Sequence, residues 1–150
     1  MNNSRPSWND YFLDIAKMVG KRATCLRRRY GAIIVKDNII ISTGYNGAPR
    51  GEANCIDTGI CERERLHIPK GQNYELCVAV HAEQNAIINA DPIKMRGATI
   101  YIVGYNVDGS LASGKPCLLC RRMIVNAMID EVVYLETDGT TQCVKATELN

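Results

Sequence analysis

Glycine and proline, 12 and 5 among 150 residues, are too few for a collagenous or low-complexity chain. Charge of one sign is scarce too. The 18 basic and 16 acidic side chains leave a formal charge of +2, too small to argue for a broad nucleic-acid footprint. No internal repeat is visible, which leaves a single unrepeated unit. Residues 1 to 20 lack a long apolar run and carry Asp10, Asp14 and Lys17, so they resemble neither a secretory signal nor a membrane anchor. The expected location is the cytoplasm. A reducing compartment favours the seven cysteines as metal ligands or nucleophiles over a disulfide framework. Histidine is nearly missing, with only His67 and His81 in the whole chain.

What is present is an ordinary globular balance, 46% hydrophobic and 23% charged, in a chain long enough to bury a core. One domain over residues 1–150 is expected. Apolar residues at 8, 11, 12, 15, 16, 18 and 19 give "WNDYFLDIAKMVGKRA" the spacing of an amphipathic helix. "YGAIIVKDNIIISTGYN" reads as two β-branched runs in a hairpin about Lys36-Asp37-Asn38. "GYNGAPRG", from Gly44 to Gly51, reads as a loop of the kind that carries function. Residues 52 to 77 are polar and cysteine-bearing without sustained periodicity, an ordered excursion rather than a linker. A helix follows from near His81, then a buried strand "ATIYIVGY", the turn-rich "NVDGSLASGK", a helix from about Pro116 to Met128 and a strand "EVVYLE". The tail "TTQCVKATELN" fits no single element. Strands alternating with helices predict a layered α/β domain with helices on both faces of a sheet.

The chemistry gathers at two predicted helix starts. Cys117 and Cys120, spaced i and i+3, place both sulfurs on one side of a first turn, and Pro116 suits such a start. With the imidazole of His81 they make three protein ligands, and a tetrahedral zinc then keeps its fourth position for water, the catalytic arrangement. Zinc with two thiolates and a neutral histidine sums to zero charge and turns negative when that water ionises. Two helix N-termini favour the negative state. Glu83, two residues beyond His81, is placed to accept a proton from the water and redeliver it to a leaving group. Taken alone, the histidine reads as a structural residue, and "PCLLC" as a structural zinc half-site or redox pair. H-A-E followed downstream by P-C-x-x-C is far more specific.

Those two motifs resemble the signature of the zinc-dependent cytidine deaminase superfamily. Within it, "GAIIVKDNIIISTGYNGAP", "HAEQNAI" and "PCLLCRRMIVNAMIDEVVY" resemble deoxycytidylate deaminases in order and spacing, over most of residues 8 to 135. The resemblance implies a three-layer α/β/α fold with a mixed five-stranded sheet. It also implies a homo-oligomer, since active sites in this superfamily are commonly completed near subunit interfaces. It makes His81, Cys117 and Cys120 the ligands of a catalytic zinc and Glu83 the proton shuttle. A zinc-held hydroxide would attack C4 of cytosine, Glu83 would protonate N3 and then the departing amine, and dCMP would become dUMP. Asn46, otherwise a turn residue beside glycine, matches the residue that holds the sugar hydroxyl, and the Ala82 N–H the group that binds the pyrimidine carbonyl. The family's substrate carries a phosphate. "KRATCLRRR", otherwise a solvated helix end and loop, supplies Arg22 and Arg27 as candidates to hold it.

Cys25, Cys55, Cys61 and Cys77 precede the catalytic helix, three of them in the excursion. They are candidates for a second, structural zinc, with His67 able to replace one, although the spacing is no compact knuckle and buried unreacted thiols are the plainer reading. Some deoxycytidylate deaminases carry a second zinc at cysteines in places similar to Cys25 and Cys55. Cys143 is expected as a packed thiol. The sequence departs from the family at "GYNVDGSLASGK", where members usually pass almost directly from strand to P-C-x-x-C; this bears on substrate choice and oligomer contacts more than on zinc. Many members are activated by dCTP and inhibited by dTTP through a region resembling the "GYNG" loop, so both are candidate effectors. Two alternatives stay open: a tRNA adenosine deaminase, which shares both motifs, and a non-catalytic zinc protein on the same fold.

Overall fold

The computed structural model describes residues 4–150. Helix α1 (Trp8–Gly20) opens where the Ser7 hydroxyl accepts the Asp10 N–H, and it buries the stripe Phe12, Leu13, Ala16 and Gly20. Strands β1 (Arg28–Lys36) and β2 (Ile39–Tyr45) form the predicted antiparallel hairpin. Its two-residue turn sets Asp37 and Asn38 at φ 52° and 59°, the left-handed region that a tight hairpin needs and that these two residue types tolerate.

The excursion contains two single-turn helices, α2 (Cys55–Thr58) and α3 (Glu62–Arg65), and a 3₁₀ turn at Tyr74–Leu76. Then come α4 (Ala82–Asn89), β3 (Thr99–Asn106), β4 (Leu111–Ala112), α5 (Leu118–Asn126) and β5 (Glu131–Leu135). The ambiguous tail resolves into β6 (Thr141–Lys145), antiparallel to β5, and a closing 3₁₀ turn.

The sheet runs β2-β1-β3-β5-β6, with β3 and β5 parallel and the other neighbours antiparallel. This is the mixed five-strand path expected. A sixth strand, β4, lies off it: the "NVDGSLASGK" stretch folds back on β3, pairing Leu111 with Tyr105 and Ala112 with Gly104.

Alternate residues of each strand feed opposite faces. Ala32, Ile34, Ile100, Ile102 and Val132 pack with Ala82 and Ala86 of α4 and Ile124 of α5. Ile33, Val35, Tyr101, Val103 and Val133 pack with Phe12, Leu13 and Ala16 of α1. Three layers result, and because both faces are covered the central strands read as unbroken apolar runs. Each fully buried isoleucine adds about 1.5–3 kcal/mol of transfer free energy.

Two glycines set how closely the helices lie on the hairpin. A Cβ on Gly31 would sit 1.8 Å from the Ala16 carbonyl oxygen of α1, and one on Gly44 would sit 2.4 Å from the Ala82 carbonyl oxygen of α4. Three hydrogen bonds then fasten α4 to β2. Ser42 Oγ donates to Ala86 O at 2.7 Å, Asn85 Nδ2 to Tyr45 O at 2.8 Å and Asn89 Nδ2 to Thr43 O at 3.0 Å. Among the described residues, no helix is long and apolar enough to cross a membrane.

Candidate active site

The first turns of α4 and α5 meet beside the sheet. His81 is the N-cap of α4 and Cys117 the N-cap of α5, so both lie at the point where unpaired helix N–H groups face outward. Pro116 stands one residue ahead of that cap, outside the helix rather than in its first turn as expected. His81 is held from behind by Gln84, whose Oε1 accepts the His81 N–H at 2.9 Å. The preceding residue, Val80, makes a two-way bridge with Gly47: Gly47 N donates to Val80 O at 3.1 Å and Val80 N to Gly47 O at 2.7 Å.

His81 Nδ1 lies 3.2 Å from Cys120 Sγ and 3.6 Å from Cys117 Sγ. The three ligand atoms all fall within 4.8 Å of one another, the spread that one metal ion needs. Cys120 is fully buried and Glu83, in the first turn of α4, is only 6% exposed. Burial pushes the Glu83 carboxyl above the usual carboxylate range. The hydrogen bond from Cys120 pulls the Cys117 thiol down to about 4, while the same bond pushes Cys120 up. His81 is raised, chiefly by its hydrogen bond to Cys117. A divalent cation taking both sulfurs would hold them as thiolates. Two sulfurs and one nitrogen, with no carboxylate among them, suit zinc rather than a hard cation.

A cavity of about 450 Å³ opens onto this group, with His81, Glu83 and Cys117 in its wall. Asn46 is buried in the same wall. Its Oδ1 accepts the Tyr30 N–H at 2.8 Å and its Nδ2 donates to Arg28 O at 3.0 Å, which fixes the amide and leaves one N–H over. Ala82 also faces the cavity, and as the first residue of α4 its N–H has no acceptor within the helix. Of the two arginines read as phosphate contacts, Arg27 lines the cavity, with its Nε 3.2 Å from Glu64 Oε1; Arg22 is exposed and lies outside the wall.

The sequence reading passed over Arg28, Arg63, Lys70, Tyr74 and Lys115, all of which line the cavity. Arg28 had a usable signal, since it shares the β1 face of Tyr30, Ala32 and Ile34. The others come from the excursion and the β3–β4 insertion, where no periodicity marks a face.

Cys25, Cys61 and Cys77 also line the cavity, and burial together with the charges of these three raises the Cys55 thiol. Among the described residues, no three of this quartet gather as closely as His81, Cys117 and Cys120. His67 is exposed, at φ 55°. Cys143 corrects an expectation: it is exposed on β6, where its sulfur accepts Asn9 Nδ2 at 3.6 Å, because the outer residues of an edge strand have no layer above them.

The sequence model of the cytidine and deoxycytidylate deaminase zinc-binding region matches residues 6–136. The chain belongs to this family. It is 40% identical to the deoxycytidylate deaminase of Mycobacterium phage D29, over 87% of this chain and 96% of that one. It is 37% identical to the deoxycytidylate deaminase of Schizosaccharomyces pombe, over 89% of this chain but 38% of the longer yeast protein. The family's chain thus occurs both at this length and as under half of a larger protein. The fold is similar to that of the dCMP deaminase of cyanophage S-TIM5, solved in complex with dCMP and dUMP. The TM-score is 0.63 at 26% identity, with 91% of this chain and 90% of that chain covered.

Proposed function

We propose that the chain is a zinc-dependent deaminase that converts dCMP to dUMP and ammonia. The observation that carries the reading is the convergence of His81, Cys117 and Cys120, beside a buried Glu83, at one cavity. Similarity to a chain of matching length named deoxycytidylate deaminase supports the substrate. His81, Cys117 and Cys120 would hold the zinc, which when bound activates the water that attacks cytosine C4.

The chain's own groups do the rest. Burial raises the affinity of Glu83 for a proton, so it takes one readily and gives it up to ring N3 and then to the departing amine. The Ala82 N–H holds the pyrimidine carbonyl oxygen, and the spare Asn46 N–H the sugar hydroxyl. The low polarity around Glu83 strengthens each of these bonds. We include in the proposal a second, structural zinc among Cys25, Cys55, Cys61 and Cys77, supported by the common place of Cys25, Cys61 and Cys77 in the cavity wall.

The test is loss of the cytosine absorbance band when zinc-loaded protein meets dCMP, CMP, deoxycytidine and cytosine in turn. Rapid turnover of dCMP alone is expected. Turnover of none, with formation of inosine within an RNA stem-loop and release of ammonia instead, would move the chain to the adenosine branch of the same chemistry.

A further inference from the structure

Asn46 stands between two clips that fasten its segment to the start of α4. On one side the next residue, Gly47, makes its two-way bridge with Val80, which directly precedes His81. On the other side the carbonyl of the preceding residue, Tyr45, accepts Asn85 Nδ2 at 2.8 Å. Asn46 on one segment and His81, Ala82 and Glu83 on the other lie between these clips, and all four line the cavity.

The clips differ in kind. Gly47 and Val80 join through backbone groups alone, so no side chain sets their spacing. Asn85 joins through its side chain, whose length decides how far Tyr45 stands from α4. Its own N–H donates to His81 O at 3.0 Å, so the same residue closes the turn that carries Glu83. Neither Tyr45 nor Asn85 lines the cavity, and any effect of Asn85 on chemistry must pass through its neighbours. Asn89, one turn later on α4, makes the same type of bond to Thr43 O at 3.0 Å, but the residues beside Asn89 and Thr43 do not line the cavity.

We infer that Asn85 is a positioning residue for the reaction, whose bond to Tyr45 sets the distance between the Asn46 amide and the Glu83 carboxyl. This rests on the deaminase reading above, in which Asn46 holds the sugar and Glu83 moves the proton. A substrate held at one end by Asn46 reacts at the other only if Glu83 is in reach at the same moment, and a misplacement of about 1 Å can cost about a hundredfold. Asn46 cannot swing to follow a shift of its backbone. Its amide is fixed by the Tyr30 N–H and by Arg28 O, so the spacing has to be right in the chain itself.

The experiment compares kcat and kcat/KM for dCMP in zinc-loaded wild type, Asn85→Ala, Asn85→Asp, Asn89→Ala, Asn46→Ala and the double variant Asn46→Ala with Asn85→Ala. Zinc content and melting temperature are measured for each, and rates are taken well below melting. Asn85→Asp keeps the side chain's shape but offers a carbonyl no donor. Both Asn85 variants are expected to lose about tenfold to a hundredfold in kcat with zinc retained. Asn89→Ala, which gives up a bond of the same type, should melt earlier yet turn over near the wild-type rate. Removing Asn85 should cost at least about fivefold less in kcat/KM when Asn46 is already alanine. Equal costs in the two backgrounds, or an equal loss of rate in Asn89→Ala, overturn the inference and leave Asn85 as a prop of the fold.

Amide hydrogen exchange reads the clip without activity. The Tyr30 N–H, which Asn46 Oδ1 accepts at 2.8 Å, should exchange faster in Asn85→Ala than in wild type or Asn89→Ala. That result in a protein that deaminates no pyrimidine keeps the spacing role of Asn85 and overturns the deaminase reading; unchanged exchange overturns the spacing role.

Discussion

The ring of Tyr74 stands edge-on to that of His81, with centres 5.7 Å apart and planes at 85°. The Arg63 guanidinium lies over the Tyr74 ring and holds the carbonyls of Pro69 and Gln72. The excursion therefore reaches His81 through an edge-on ring contact. Arg63→Met removes a buried guanidinium together with its hydrogen bonds to two loop carbonyls, so a loss of about 1–3 kcal/mol in unfolding free energy is expected by denaturant titration. Zinc should also leave the variant at lower chelator concentration than it leaves wild type. A chelator curve matching wild type would show that the stack does not support His81.

Glu83→Gln keeps the shape of the first turn of α4 but cannot carry a proton. Turnover of dCMP should fall by about 10²–10⁴-fold with zinc content unchanged. Retained turnover in a zinc-replete variant would remove Glu83 from the chemistry.

Gly44→Ala tests what seats α4. The added Cβ meets the Ala82 carbonyl oxygen at 2.4 Å and the Ala86 nitrogen at 2.3 Å, backbone atoms that cannot swing aside. Overpacking of this kind costs about 1–3 kcal/mol. Because α4 carries His81 and Glu83, dCMP turnover should fall along with the melting temperature; a variant that melts early yet turns over normally would place the adjustment in β2.

Metal analysis decides the quartet. Two zinc ions per chain are expected in wild type and one in Cys55→Ala, which should unfold at lower temperature. One ion in both proteins would leave Cys25, Cys55, Cys61 and Cys77 as packed thiols.

Acid stability has a surface contribution at the exit from α4. Asp91 Oδ1 accepts the N–H groups of Ile93 at 2.8 Å and Lys94 at 3.2 Å, and these bonds lower its carboxyl below the usual 3.8. A carboxyl depressed on folding stabilises above its unfolded value, and that stabilisation is lost as pH falls through the folded one. Wild type should therefore exceed Asp91→Asn in denaturant stability at neutral pH, and the gap should close on acidification below 3.8. A gap independent of pH would assign the difference to the turn's backbone.

How much of this was legible depended on periodicity. The strands "AIIV" and "ATIYIV" announce themselves because both sheet faces are covered, and the helix starts at His81 and Cys117 because ligand-bearing residues fall where apolar spacing begins. The tail is ambiguous in the sequence because β6 is an edge strand that alternates between half-buried and exposed, as in Gln142, Cys143 and Val144, so it lacks an apolar run. Arg63 and Tyr74 left no trace, since their roles come from a stack that closes only when the excursion folds. Motif spacing does not select among the basic residues of "KRATCLRRR"; Arg27 lines the cavity, and the pleat of β1 turns Arg28 toward it as well, a parity argument that starts from Tyr30.

The Gly47–Val80 bridge has a bearing on how such a protein can diverge. It ties the departure of the chain after Asn46 to its return before His81, so residues 48–79 leave and re-enter the body of the protein at one point. Lengthening a loop already pinned at its ends adds only about 0.6 kcal/mol per doubling. Relatives can therefore exchange this rim for longer or shorter ones, with other residues over the pocket, while the socket beneath keeps its dimensions.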